Sequence, residues 1–198
     1  MNLYRLKNDE KSFKELSLDC VQLYEQLHLE DSESGLSDCS DLGTSGKPFP
    51  HPWKRVKSDF EASPMYPSAV KIPNISIWIG SALVLSEKAK AALSLILEPH
   101  GEFLPVQVQE TNYFIFNLFT YVEVDEKKTV YQYSGEDRTF PDGIEKLVFS
   151  ESDLRGKFLF RSGEKSFGGV FCTDEFKQTC EEFDLDGLIF DEDISNIY

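Results

Sequence analysis

Residues 86–108 read SEKAKAALSLILEPHGEFLPVQV, and the hydrophobic period changes in the middle of them. Ala89, Ala92, Leu93, Ile96 and Leu97 recur three or four apart, which puts them on one stripe of a helix. Ser86 offers a side-chain acceptor ahead of that stripe, and Glu87 places negative charge in the first turn, where the helix dipole favours it. Pro99 and Gly101 stop the helix. Residues 103–108 then read as a strand, so one long helix hands over directly to β-structure.

Working outward toward the C-terminus, residues 113–124, 129–133, 144–149 and 157–160 read as further strands, with turns at Ser134-Gly135 and Pro141-Asp142-Gly143. Connections this short predict antiparallel pairing. Thr173 is placed to cap a helix whose Phe176, Thr179, Cys180 and Phe183 share a face, and Asp186-Gly187 turns into a last strand at Leu188-Ile189-Phe190. Toward the N-terminus, Ile75, Ile77 and Ile79 alternate with Ser76 and Trp78 as a strand packed on both faces. Residues 2–6 predict another strand, and residues 16–29 a helix with Leu16, Cys20, Leu23 and Leu27 on its stripe. Residues 30–52 are rich in Ser, Gly and Asp and predict an exposed loop; the Pro-rich stretch after it, with Phe49 and Trp53, predicts an extended surface crossing. The expected fold class is α+β: a mostly antiparallel sheet with a few segregated helices. The expected division is an N-terminal strand and helix with a flexible acidic and Pro-rich linker over residues 1–71, then an α+β domain over residues 72–198.

Sixteen Phe, eight Tyr and two Trp in 198 residues supply enough apolar area for an ordinary core, so the chain needs neither disulfides nor a structural metal to fold. Thirty-five acids against 20 bases give a net charge of −15, which opposes binding to a phosphate backbone and favours a basic partner. Cys20, Cys39, Cys172 and Cys180 form no Cys-x-x-Cys pair, and Cys20 and Cys180 fall on helical stripes, so reduced, buried thiols are expected. Residues 1–13 hold no apolar run of signal-peptide type, and no stretch has membrane length. The expectation is a soluble cytoplasmic protein with no cofactor, no nucleic-acid partner and no membrane.

Catalytic constellations are sparse. His28 ends a predicted helix, His51 lies between two prolines and His100 sits in the turn between Pro99 and Gly101; no Gly-x-Ser-x-Gly elbow accompanies them. The Gly-containing stretch over residues 162–169 lacks phosphate-loop spacing and reads as a hairpin or loop. Around Asp184 and Asp186 the calcium-loop pattern fails, because Gly187 follows Asp186 directly and the next three residues are apolar. Asp184 and Asp186 would point the same way on an extended chain, which leaves a small hydrolase as one alternative and a general interaction module as another. The strongest remaining signal is electrostatic: beyond Thr173 nine acids stand against Lys177 alone. Such a field steers a basic partner, or simply keeps the chain in solution. The expected partner-binding residues are Asp184, Asp186, Asp191, Glu192 and Asp193, with no catalytic, cofactor-binding or metal-binding residue assigned.

Several short motifs occur in a characteristic order: Leu83-Val84-Leu85-Ser86-Glu87-Lys88, Gly101-Glu102-Phe103-Leu104-Pro105-Val106, Tyr113-Phe114-Ile115-Phe116-Asn117, Val124-Asp125, Val170-Phe171-Cys172-Thr173-Asp174-Glu175-Phe176, and Leu185-Asp186-Gly187-Leu188-Ile189-Phe190. In that order, over residues 72–190, the chain resembles a family of bacterial immunity proteins from polymorphic toxin systems, first described as a domain of unknown function. The motif residues read as caps, helix stops and strand breaks, with Leu104-Pro105 as an edge-strand break. The resemblance implies a non-enzymatic protein that neutralises a cognate toxin by direct contact inside the producing cell, and the acidic excess would suit a basic toxin.

Overall fold

The computed structural model describes residues 1–133, 141–162 and 168–196, so the expected Ser134-Gly135 turn and the centre of the 162–169 loop lie outside the described residues. In chain order the elements are β1 (Leu3–Asn8), β2 (Glu15–Leu16), α1 (Cys20–Leu27), α2 (Gly35–Asp41), β3 (Val56–Ser58), β4 (Phe60–Glu61) and β5 (Ile75–Ile77). They continue as β6 (Leu83–Ser86), α3 (Glu87–Leu97), β7 (Gly101–Val108), β8 (Thr111–Leu118), β9 (Tyr121–Val122), β10 (Val130–Gln132) and β11 (Gly143–Lys146). The last are β12 (Leu159–Ser162), β13 (Val170–Thr173), α4 (Asp174–Glu182) and β14 (Leu188–Asp191). The strands form two five-stranded sheets, ordered β14-β1-β13-β12-β9 and β3-β7-β8-β6-β5, and two small ribbons, β10-β11 and β2-β4. Pairing is antiparallel except for β12 with β9 and β3 with β7, and the fold is α+β as expected.

Side chains alternate across each strand, and that period of two sorts the apolar residues into three cores. From the second sheet, Leu83, Leu85, Phe116 and Leu118 face a middle core, where they meet Leu93 and Leu97 of α3, Phe176 and Cys180 of α4, and Tyr4, Leu6, Leu159 and Cys172 of the first sheet. Their neighbours Val84, Leu104, Val106 and Ile115 face the other way, onto Leu23 and Leu27 of α1 and Cys39 of α2. On the far face of the first sheet, Phe160 and Phe171 pack with Phe149, Leu147 and Ile144. Both sheets are therefore covered on both sides, and α3 and α4 lie between them.

The decisive helix forms as read. Ser86 Oγ accepts from the Ala89 N–H at 3.2 Å, Ala89, Leu93 and Leu97 are buried, and a 3₁₀ turn at Glu98–His100 leads into β7. Elsewhere the structure corrects the expectation. The first helix begins at Cys20, not Leu16, because Asp19 caps it: its carboxylate accepts from the Val21 and Gln22 N–H groups while the Gln22 side chain reciprocates. Leu16 belongs to β2.

The expected loop over residues 30–52 contains α2, with Cys39 and Leu42 buried. Two apolar residues three apart suffice there, because the rest of the segment is held by polar contacts. His51 Nε2 lies 2.7 Å from Asp38 Oδ2, the Phe49 N–H donates to Glu102 Oε1 at 2.6 Å, and Trp53 Nε1 donates to the Pro105 carbonyl at 3.0 Å. Pro105 does not break its strand: β7 runs through it, and β3 pairs only from Val106 onward, just past the residue that has no N–H to give. The run over residues 113–124 is interrupted after Leu118, and the chain crosses to the other sheet as β9. Phe183 follows α4 and is exposed, not on its buried face.

All four cysteines are free thiols. Burial pushes Cys39 up to about 11 and Cys180 up to about 12, and raises Cys172 as well, whereas Cys20 is half-buried at the start of α1. The thiolate is the reactive form. In the native protein at pH 8, a thiol reagent is therefore expected to modify Cys20 first, and all four cysteines only after denaturation. Rapid labelling of Cys172 or Cys180 in the folded chain would contradict this packing.

Candidate partner-binding surface

The five predicted acids fall into two groups, because β14 separates them at about 3.3 Å per residue. At one end, α4 has finished, and Asp184 takes a left-handed conformation with φ 46° while its carbonyl accepts from Lys88 Nζ at 2.9 Å. Asp186 is tied to the start of β5: its Oδ1 accepts from both the Asn74 N–H at 3.1 Å and the Asn74 Nδ2 at 2.5 Å, and its carbonyl accepts from the N–H groups of Asn74 and Ile75. At the other end, Asp191 pairs with Lys7 at 2.9 Å and accepts from the Asp193 N–H, and Asp193 in turn accepts from the Ser195 N–H. Glu192 is exposed beside them. Asp186 and Asp191 thus have internal structural duties, while the carboxylates of Asp184 and Glu192 face solvent.

Among the described residues four carboxyls are held below the ordinary aspartate range: Asp191 chiefly by the hydrogen bond from Lys7, Asp153 by that from Lys157, Asp174 by the Asn2 N–H, and Asp38 by the Ser34 hydroxyl. A depressed folded-state pKa contributes stability that is complete above the unfolded value, near about 4, and disappears as pH falls through the folded value. The stability advantage of the native chain over Lys7→Met is therefore expected to be present at pH 7 and to shrink below about pH 4. Urea midpoints at pH 7, 5 and 3 check this; an advantage that grows on acidification would refute it.

Thr173 occupies the N-cap of α4, but its hydroxyl makes no cap bond and is buried without a partner. The first turn is instead pinned by Asp174, which accepts from the Asn2 N–H at 2.7 Å and from Tyr4 Oη at 3.1 Å. Sequence reasoning did not single out the two arginines near this surface. Arg5 is only 8% exposed; its Nη2 donates to the Gly168 carbonyl at 2.9 Å, its guanidinium lies over the Phe171 ring, and its Nη1 is buried with no partner. Arg161 donates to the carbonyls of Thr44 and Ser45, and its Nε is likewise buried and unpartnered. Neither has a carboxylate at ion-pair distance among the described residues. Only the residue type at positions 5 and 161, each beside large apolar neighbours in β1 and β12, hinted at them.

The histidines are scattered. His28 is the exposed left-handed residue after α1, His51 meets Asp38, and His100 Nδ1 lies 2.8 Å from Thr120 Oγ1, where burial lowers its pKa. Among the described residues no group of three or more His, Cys, Asp or Glu is placed to hold a metal, and no helix is long and apolar enough to cross a membrane.

Fold and surface together define an α+β protein that carries carboxylates at both ends of the outer strand of a five-stranded sheet. Family comparison goes further: residues 27–194 match the Immunity protein family (Imm11), and the chain belongs to it. The match starts well before residue 72, so it takes in α2, β3 and β4; the stretch expected to cross the surface in fact places Val56 and Phe60 in the core. A search of curated proteins finds no match.

Proposed function

We propose that this chain is a cytoplasmic immunity protein, without enzymatic activity, that binds a cognate toxin directly and blocks it. The family match over residues 27–194 carries this reading. The surface supports it in a second way: Asp184, Glu192 and Asp193 are exposed on a rigid frame, because Asp186 and Asp191 anchor the two ends of β14 to Asn74 and Lys7. A fixed array of like charge attracts a basic surface and disfavours an acidic one, which gives on-rate and selectivity.

Co-expression with the candidate toxin encoded beside its gene tests the proposal. Growth should be rescued, and the two proteins should co-purify in a complex that weakens with salt. Charge removal in Asp184→Asn, Glu192→Gln and Asp193→Asn together should slow association several-fold at low salt. A neighbour that is harmless by itself, or rescue without any complex, would overturn the direct-contact mechanism.

A further inference from the structure

Each of the two five-stranded sheets has two outer strands, and an outer strand turns a row of backbone N–H and carbonyl groups away from its sheet. On three of these four strands, side chains are bound to such groups. On β3 the Gln26 amide closes Lys57: the Lys57 N–H donates to Gln26 Oε1 at 2.7 Å, and Gln26 Nε2 donates to the Lys57 carbonyl at 2.9 Å. On β5 Asn8 does the same for Ile77, whose N–H donates to Asn8 Oδ1 at 2.7 Å and whose carbonyl accepts from Asn8 Nδ2 at 2.8 Å. On β9 an ion pair replaces the amide. Lys157 Nζ donates to the Tyr121 carbonyl at 2.7 Å, the Glu123 N–H just past the strand donates to Asp153 Oδ2 at 2.9 Å, and Lys157 and Asp153 lie 2.7 Å apart.

The fourth outer strand is β14. The Asp9 N–H donates to the Gly187 carbonyl at 3.0 Å, and from there Asn8 to Arg5 pair in unbroken register with Leu188 to Asp191. Bonded and non-bonded pairs alternate along an antiparallel ladder, so Ile189 and Asp191 bond inward to Lys7 and Arg5, while Leu188 and Phe190 turn their N–H and carbonyl groups outward. Among the described residues no strand pairs with that side of β14, and no side chain or turn is bonded to those four groups. Nor is the strand blunted by the usual means, since it holds no Lys, no Pro and no bulge, and Ile189 is 46% exposed on it.

We infer that an extended, basic segment of the toxin adds to the first sheet along the outer side of β14, its backbone pairing with Leu188 and Phe190. Its basic side chains meet Asp184 before the strand and Glu192 and Asp193 after it. The inference rests on the immunity reading and supplies its binding mode: main-chain pairing gives affinity, and the acids select the partner. Charge also decides against a second copy of the chain as the added strand. A two-fold antiparallel pair with Leu188 of one copy opposite Phe190 of the other sets Asp186 opposite Glu192 at both ends, and like charges directly opposed destabilise a ladder.

The test uses the full chain, isotope-labelled, with a peptide of alternating lysine and valine as the probe; residue-resolved amide exchange and peptide affinity are read. In the free chain the Leu188 and Phe190 amides should exchange faster than that of Ile189, and the peptide should slow both about tenfold or more. The same peptide N-methylated at two adjacent central residues, one for each edge, keeps its charge but cannot pair, and its affinity should fall about tenfold or more. Ile189→Lys changes only an exposed position and places a blunting residue on the edge, so it should keep the fold and weaken the peptide likewise. Leu188 and Phe190 amides already as slow as Ile189 in the free chain, or equal binding of the N-methylated peptide or of a glutamate-valine peptide, would each overturn the assignment. Protection that rises with chain concentration alone would overturn it in favour of a second copy. The two proposals fail separately: a toxin complex that leaves both amides fast removes the edge and leaves immunity, whereas peptide pairing with a harmless neighbouring gene product removes immunity and leaves the edge.

Discussion

Phe171→Ala is expected to lower the stability of the chain by about 3–5 kcal/mol, the range for truncating a large aromatic in a closed core. Phe171 is fully buried at the centre of the third core. Its ring stacks on Phe160 at 5.9 Å and 21°, and meets Phe149 edge-on at 4.9 Å and 67°. Rings held in these arrangements contribute beyond their buried area, and β13 leaves neighbouring side chains little freedom to collapse into the space. Arg5 also loses the ring beneath its guanidinium, 5.6 Å away. Urea unfolding against Leu95→Ala, an 88% exposed position expected to change stability by less than about 0.5 kcal/mol, provides the scale. A loss below about 1 kcal/mol would mean that this core is loosely packed and that β10-β11 are not anchored through it.

Gly187→Ala should be nearly as damaging, at about 3 kcal/mol, although it adds a single methyl group. Gly187 has φ 115°, a region that L-residues avoid, and an added Cβ would stand 2.3 Å from the Ile75 carbonyl oxygen and 2.5 Å from Pro73 Cβ. Neither neighbour can yield easily: Ile75 is in β5, and the same stretch is fixed by Asp186 through Asn74. Gly156→Ala separates strain from overlap, since Gly156 has φ 72° and an added methyl group there would meet nothing within 4 Å; it should cost only about 1 kcal/mol. On the proposed function, Gly187→Ala also weakens the toxin complex, because β14 positions both groups of acids. Equal effects at Gly187 and Gly156 in thermal unfolding would show that contact with Ile75 and Pro73 does not matter.

Much of the fold was legible because local rules and tertiary packing agree. Ser86, the Ala89-Leu93-Leu97 stripe and the Pro99-Gly101 stop gave α3, and Asp186-Gly187 gave the turn into β14, because caps, helix period and positive φ are properties of the chain near each residue. Reading failed where a segment is held by distant partners. The region around α2 looked like a loop because its few apolar residues close a core made by α1 and the second sheet, and the Phe49 N–H and the Trp53 indole after it donate to acceptors as far away as Glu102 and Pro105. The break after Leu118 was hidden for the same reason: both halves have strand character, and only the choice of sheet separates them.

The candidate site divides along that line. From the residues alone came the class of fold, the reduced thiols, the acidic excess beyond Thr173 and the resemblance that family comparison extends to residues 27–194. Folding decided that the five acids stand in two groups, that two of them brace β14, and that Arg5 and Arg161, 156 positions apart in the chain, border one cleft. Composition and periodicity report what a residue does within a few positions of itself; which charges meet across a sheet depends on strand order and register, and those are set by the packing of the whole molecule.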